Sequence, residues 1–273
     1  MSWFEALIVG IVQGLTEFLP ISSSGHLVIV QKLLGIPEHD LALDLAAHLG
    51  TVLSIVTIYH ALLKRMTIAL LRVNQWFTAK TPELHMVKMV IVGSIPTAIL
   101  GLAFKDEFEA AFSDMRSLGI CFILTGLLLL LSKLKGGARF TAKDLFSFSG
   151  VESITWWKAV LIGLAQGLAI MPSISRSGVT IVAALLLGIS GPTAAMYSFI
   201  LSLPAILGAA ILELKDVPLE GSRVGILSIG LISAYAFGLL GLWGTLLSVR
   251  QGRLEVFTGY LVAVGVFILW AWV

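Results

Sequence analysis

Charge is scarce in this chain. Lysine and arginine number 18, aspartate and glutamate 16, and together they make up 12% of 273 residues. A soluble domain carries about 25%. With 58% hydrophobic residues and a mean hydropathy of +0.98, the shortage excludes a soluble globular protein, and most of the chain is expected to sit in lipid. The net charge of +2 is too small to imply nucleic acid, and membrane loops account for the sequence pI of 8.7. Cysteine is nearly absent. The single Cys121 lies in an apolar run, so no disulfide framework or thiolate metal site is available. A basic leading segment is missing too. Nothing positive precedes Lys32, whereas secretory peptides begin with a basic stretch. The mature chain is therefore expected to start at its encoded N-terminus.

What is present is one peptide written twice. Ala6 to Ile36 and Ala159 to Ile189 align without a gap, sharing Gly10/Gly163, Gln13/Gln166, Gly14/Gly167, Ser22/Ser175, Ser24/Ser177, Gly25/Gly178 and a closing Leu-Leu-Gly-Ile. The polar cargo differs. Copy one carries Glu17 and His26, copy two Arg176 and Thr180. A duplicated apolar frame with an acid and an imidazole on one half and a guanidinium on the other suggests a composite site where the halves meet.

Spans need about 17–25 mostly apolar residues. Six stretches qualify: Ala42–Tyr59, Val87–Phe104, Leu118–Ser132, Thr193–Leu212, Val224–Leu247 and Val256–Val273. The repeated segments do not. Each runs into a proline and a Ser/Gly cluster, and freed backbone groups in lipid cost several kcal/mol each. They read as two re-entrant helical hairpins. Lys64, Arg65, Arg72, Lys80 and Lys88 crowd one connection; Lys133, Lys135, Arg139, Lys143 and Lys158 another; Arg250 and Arg253 mark a third. These loops are expected to be cytoplasmic. The mostly acidic loops Lys105–Arg116 and Glu213–Arg223, with Glu5, Glu38 and Asp40, would face outside. The expected fold is an all-α polytopic membrane protein, an inverted-topology repeat of about six spanning helices plus two hairpins, with both termini outside. Residues 1–273 form one integral membrane domain, repeat one covering about 1–135 and repeat two about 155–273. Trp3, Tyr59, Trp76, Trp156, Trp157, Trp270 and Trp272 read as interfacial belts. Interior glycines such as Gly93, Gly163, Gly208, Gly225 and Gly230 read as close-packing positions.

Few ionisable groups remain inside apolar segments: Glu17, His26, Asp44, His48 and Arg176, with Lys32 at a boundary. An arginine at mid-bilayer costs from about 2.5 to more than about 10 kcal/mol and must face a partner or a cavity. A structural ion pair with Glu17 is one account. The other starts from its surroundings: Pro172, Ser173, Ser175, Ser177, Gly178 and Thr180 offer hydroxyls and a helix N-terminus, which with a guanidinium form a phosphate-binding set. In copy one, Gln13 and Glu17 share a helical face, followed by Pro20, Ser22, Ser23, Ser24, Gly25 and His26. These can supply a nucleophile, an acid or base, and a metal ligand; taken alone, the serines are equally helix caps. Asp44 and His48, at i and i+4, could bind a metal, relay a proton or pair with one another, and a supporting role is the favoured reading. His39, His60 and His85 lie in or beside loops.

The two motifs resemble those of the undecaprenyl-diphosphate phosphatases, also called bacitracin-resistance proteins. Gln13, Glu17, Pro20, Ser22, Ser23, Ser24, Gly25 and His26 match the first motif. Pro172, Ser175, Arg176, Ser177 and Thr180 match the second, with Ser173 where the family has glycine. The resemblance implies a bacterial plasma-membrane hydrolase that removes the terminal phosphate of undecaprenyl diphosphate, recycling the lipid carrier of peptidoglycan synthesis, with its site facing outward. It implies catalytic roles for Glu17, Ser23, His26 and Arg176, with Ser23 as nucleophile and His26 as acid or base. Gln13, Ser22, Ser24, Ser173, Ser175, Ser177 and Thr180 would bind substrate. Glu17 would orient His26 or hold a divalent cation, Mg2+ or Ca2+. Direct attack by water is the rival mechanism. Transport of the lipid phosphate through the same pocket is the alternative function. The partners implied are the polyprenyl diphosphate and membrane lipid, with a homodimer left open.

Overall fold

The computed structural model describes residues 2–36, 40–72, 74, 76, 79–112, 114–134, 142–215 and 223–273. Of the loop residues named above, Glu38, His39, Lys135 and Arg139 lie outside these, as does the side chain of Lys143. Eleven α-helices are described: α1 Trp3–Phe18, α2 Ser23–Leu34, α3 Leu41–Leu71, α4 Pro82–Ala103, α5 Lys105–Phe112, α6 Met115–Leu130, α7 Trp156–Leu168, α8 Arg176–Leu186, α9 Gly191–Glu213, α10 Val224–Gln251 and α11 Thr258–Ala271. Among the described residues there is no strand. Among the described residues six helical stretches are long and apolar enough to cross a membrane: α3, α4, Met115–Lys133 around α6, α9, α10, and Leu254–Ala271 around α11. This is a multi-pass membrane protein. Helices α1, α2, α7 and α8, of 16, 12, 13 and 11 residues, are shorter and form the two hairpins.

The duplicated sequence explains the hairpins. Helix α1 starts in a capping box, with the Glu5 N–H donating to Ser2 Oγ and the Ser2 N–H to Glu5 Oε2 at 2.8 Å. It stops at Leu19, because the residue before Pro20 is driven out of the helical region and here has φ −59°, ψ 141°. Ser22 and Ser175 then cap α2 and α8, accepting from the N–H groups of Gly25 and Gly178. Both copies end alike. Gly35 and Gly188 turn out of the second helix at φ 64° and 79°, the left-handed conformation that glycine adopts without strain.

The halves interlock. Helix α1 packs chiefly on α10 and its counterpart α7 on α4, so each hairpin lies on a long helix of the other repeat. The shared glycines make this approach close. A Cβ on Gly10 would lie 2.4 Å from the Gly230 carbonyl oxygen, and one on Gly163 would lie 2.0 Å from that of Gly93. Helices α6 and α11 meet through Gly119 and Gly265 in the same reciprocal way. Hydroxyls tie the layers together: Thr97 donates to the Gly163 carbonyl (2.8 Å), Thr245 to that of Phe18 (2.7 Å) and Thr258 to that of Gly126 (2.9 Å).

Three expectations need correction. Tyr59 is not interfacial. Helix α3 runs on to Leu71 through a kink at this residue, whose ring is fully buried against Phe146 and Phe199. Gly208 has open space beside it and Gly225 no neighbour closer than 3.9 Å, so neither is a close-packing position. The segment Lys105–Arg116 is not simply a loop, because Lys105–Phe112 forms helix α5, with Asp106 and Glu107 favourably placed in its first turn.

Candidate active site

The breaks in the two hairpins lie against each other. The Ser177 hydroxyl donates to the Leu19 carbonyl at 3.3 Å, and a Cβ on Gly178 would sit 3.2 Å from Pro20. On the other side of the contact, a Cβ on Gly25 would meet Ser173 Oγ at 2.4 Å. Two breaks that would be costly in lipid are thus buried in protein.

Glu17, in the last turn of α1, is the centre of this contact. Its side chain is 2% exposed. Oε2 accepts from Gln13 Nε2 at 2.9 Å and from the Ser23 hydroxyl at 2.6 Å, and Oε1 accepts from Arg176 Nη2. Gln13 reaches it because it lies one turn back on the same face. Ser23 and Arg176 are the first residues of α2 and α8, and they hold corresponding positions in the two copies. One carboxylate therefore collects the differing residue from each half. Arg176 is 23% exposed along its side chain and uses one nitrogen on Glu17. Its remaining donors have no partner among the described residues, so the ion pair and anion binding are compatible.

The structure separates the other candidates by what their atoms already do. Ser22 Oγ accepts from the Gly25 N–H at 3.4 Å and lies 3.3 Å from Ser24 Oγ. Ser175 Oγ accepts from the Gly178 N–H at 3.2 Å and lies 3.2 Å from Ser177 Oγ. Thr180 donates back to the Arg176 carbonyl at 2.8 Å and meets Ser198 Oγ. These hydroxyls build the two turns. Ser173 is different. It is fully buried, its hydroxyl has no partner, and its φ of 62° lies in the region that favours glycine.

His26 is not brought to Ser23, Glu17 or Arg176 by a hydrogen bond. Its Nδ1 lies 2.6 Å from the Ser22 carbonyl oxygen, its Nε2 2.6 Å from the Tyr260 hydroxyl on α11, and the Phe122 ring meets it edge-on. An orientation of His26 by Glu17 is therefore replaced by Ser22, Tyr260 and Phe122. Asp44 Oδ1 accepts from Gln31 Nε2 at 3.0 Å, and His48 Nδ1 bonds the main-chain carbonyl of Asp44 at 2.8 Å. No group of three or more His, Cys, Asp or Glu side chains able to hold a metal occurs among the described residues.

Sequence reasoning missed Tyr260 and also Thr125. The Thr125 hydroxyl, on α6, donates to the Ser173 carbonyl at 3.0 Å and accepts from the Ser175 N–H at 3.4 Å, pinning the second break. A threonine and a tyrosine inside apolar runs give no local signal. Only the approach of α6 and α11 to the hairpins reveals them.

Comparison with known proteins extends the motif resemblance to the whole chain. Residues 6–267 match the family described as bacitracin resistance protein BacA. An undecaprenyl-diphosphatase of Carboxydothermus hydrogenoformans is 41% identical over 274 residues, covering 98% of this chain and 97% of its own. One from Halothermothrix orenii is 40% identical, covering 98% of each. A third, from Desulforapulum autotrophicum, is 37% identical, covering 97% of this chain and 96% of its own. With the match spanning both hairpins and all six long helices, the chain belongs to the BacA family of bacitracin resistance proteins.

Proposed function

We propose that the protein is a membrane phosphatase that hydrolyses undecaprenyl diphosphate to undecaprenyl phosphate and inorganic phosphate, recycling the lipid carrier for peptidoglycan synthesis. The observation that carries the reading is the Glu17 carboxylate holding Ser23 from one repeat and Arg176 from the other. The relatives' names support the activity, and they do not favour a transporter.

The chemistry follows from that contact. Arg176 turns one or more N–H donors to the diphosphate, neutralising charge on the terminal phosphoryl oxygens, which is the main lever in phosphoryl transfer. Ser23 Oγ attacks the terminal phosphorus as the bond to the bridging oxygen breaks, and undecaprenyl phosphate departs with that electron pair. The Ser23 proton passes to Glu17 Oε2, which its hydroxyl already contacts at 2.6 Å. Water then attacks the phosphorus on Ser23 and gives its proton to His26, while the bond to Ser23 Oγ breaks, Glu17 returns its proton to that oxygen and inorganic phosphate leaves. Direct attack by water on the diphosphate is less well supported, because the Ser23 hydroxyl already rests on a base, Glu17.

A divalent cation, Mg2+ or Ca2+, would arrive with the diphosphate. One carboxylate, Glu17, and the unpartnered Gln13 Oε1 are the oxygen ligands offered here, a set that suits a hard ion already bound to phosphate. It would supply further neutralisation of phosphate charge. The acidic and basic ends support an orientation in the plasma membrane, with Glu5 and Asp40 marking the outer face and Arg65, Arg72, Lys158, Arg250 and Arg253 the cytoplasmic one.

The test is phosphate release from undecaprenyl diphosphate by purified protein in detergent, with and without chelator. Absence of phosphate release from the parent protein sinks the reading. Mass-spectrometric capture of phosphate on Ser23 checks the covalent step, and full activity in Ser23→Ala excludes it.

A further inference from the structure

Of the polar contacts made by the catalytic candidates, the one between His26 and Tyr260 has no part in the reaction as described. It joins α2 to the last helix, across 234 residues of sequence. We propose that Tyr260 is a positioning residue that fixes His26 as one neutral tautomer and covers its basic nitrogen until substrate is in place. This rests on the reading of His26 as the base of the hydrolytic step.

The assignment comes from what each atom can do. A main-chain carbonyl only accepts, so the 2.6 Å contact with the Ser22 oxygen puts a proton on Nδ1. In the neutral ring Nε2 then carries the lone pair, and the phenol at 2.6 Å donates to it. Among the described residues, a charged imidazolium has no carboxylate as a salt-bridge partner. Glu17 on α1 and Arg176 on α8 are paired with each other, and α6 meets the ring with Phe122. From α11 the ring receives only Tyr260, its plane nearly parallel at 8°. The geometry thus makes a base that is ready but occupied. Tyr260 is 46% exposed, so its hydroxyl can leave Nε2 without disrupting a packed core. When it does, the proton taken from water goes to Nε2, the atom the phenol had covered.

Tyr260→Phe keeps the ring and removes the donor. Phosphate release is measured across pH for parent and variant. Without the donated proton, the imidazole holds its own proton to higher pH. The acid limb of the kcat profile should therefore move up by about half to one pH unit, with KM within about twofold. A merely structural Tyr260 would lower kcat uniformly and leave the profile where it was. A readout independent of turnover is nitrogen-15 resonance of histidine-labelled protein. The parent should show His26 with the proton on Nδ1 and a hydrogen-bonded Nε2, and the variant should lose that Nε2 signature. Superimposable pH profiles, or a parent ring protonated on Nε2 alone, would overturn the assignment. If the parent releases no phosphate, the proposed activity fails, while the imidazole resonances still decide the role of Tyr260.

Discussion

The two hairpins share a frame and differ in how far they are buried. In α8, Ser177 to Val182 and Ala184 are all buried, whereas in α2 only Gly25, His26, Leu27 and Gln31 are. Helix α8 is wedged against α6, α7 and α9, while α2 packs chiefly on α1. The caps are the same, Ser22 and Ser175, but the residues after them are not. Ser23 is half-buried beside Ser24, and in copy two only Arg176 of the corresponding stretch keeps exposure. One copy has become a support and the other a working surface. What the support lends to the surface is a single guanidinium.

The comparison breaks most sharply at that guanidinium. Arg176→Ala takes the guanidinium from the buried Glu17 carboxylate, which should lower stability by about 3–5 kcal/mol. It should also lower kcat by about 10²–10³, as loss of one charge-stabilising donor does. Thermal unfolding and phosphate release in detergent measure the two. Arg176→Lys keeps the charge without the fork and should fall between; a fully active alanine variant would mean that copy two contributes only structure.

A smaller effect tests whether the copies are equivalent in packing. Gly10→Ala and Gly163→Ala each push a methyl into a carbonyl oxygen and should cost about 1–3 kcal/mol apiece. Gly208→Ala enters open space and should gain up to about 1 kcal/mol of helix propensity. Unequal losses at Gly10 and Gly163 would show that the interlock is not reciprocal. The smallest effect is at the breaks. Ser173→Gly removes a positive-φ serine and an unpartnered hydroxyl, and should stabilise by about 1 kcal/mol. Ser22→Gly relieves a φ of 70° but loses a cap, so melting should barely move.

Much of this was legible in the residues. The repeat, the helix breaks at Pro20 and Pro172, the six long helices and the meeting of Arg176 with the acid of copy one follow from spacing and from the cost of charge in lipid. The serines were less legible, because a hydroxyl before an apolar helix can cap or can bind, and only the observed partners show that Ser22, Ser175 and Ser177 build turns. Tyr59 misled because an aromatic residue near basic residues suggests an interface, while the helix continues past it. Tyr260 and Thr125 carried no pattern at all. Their importance depends on how α11 and α6 cross the hairpins, which is a property of tertiary packing.

The interlock also sets a timetable for biosynthesis. Glu17 emerges from the ribosome 159 residues ahead of Arg176, and His26 is followed by Tyr260 only after 234. At about 5–20 residues per second, the acid waits on the order of ten seconds for its counter-ion. Through that interval the first hairpin lacks both its charge partner and the helix it leans on. Insertion machinery must therefore shelter it, and two separately expressed halves should regain activity only when made together.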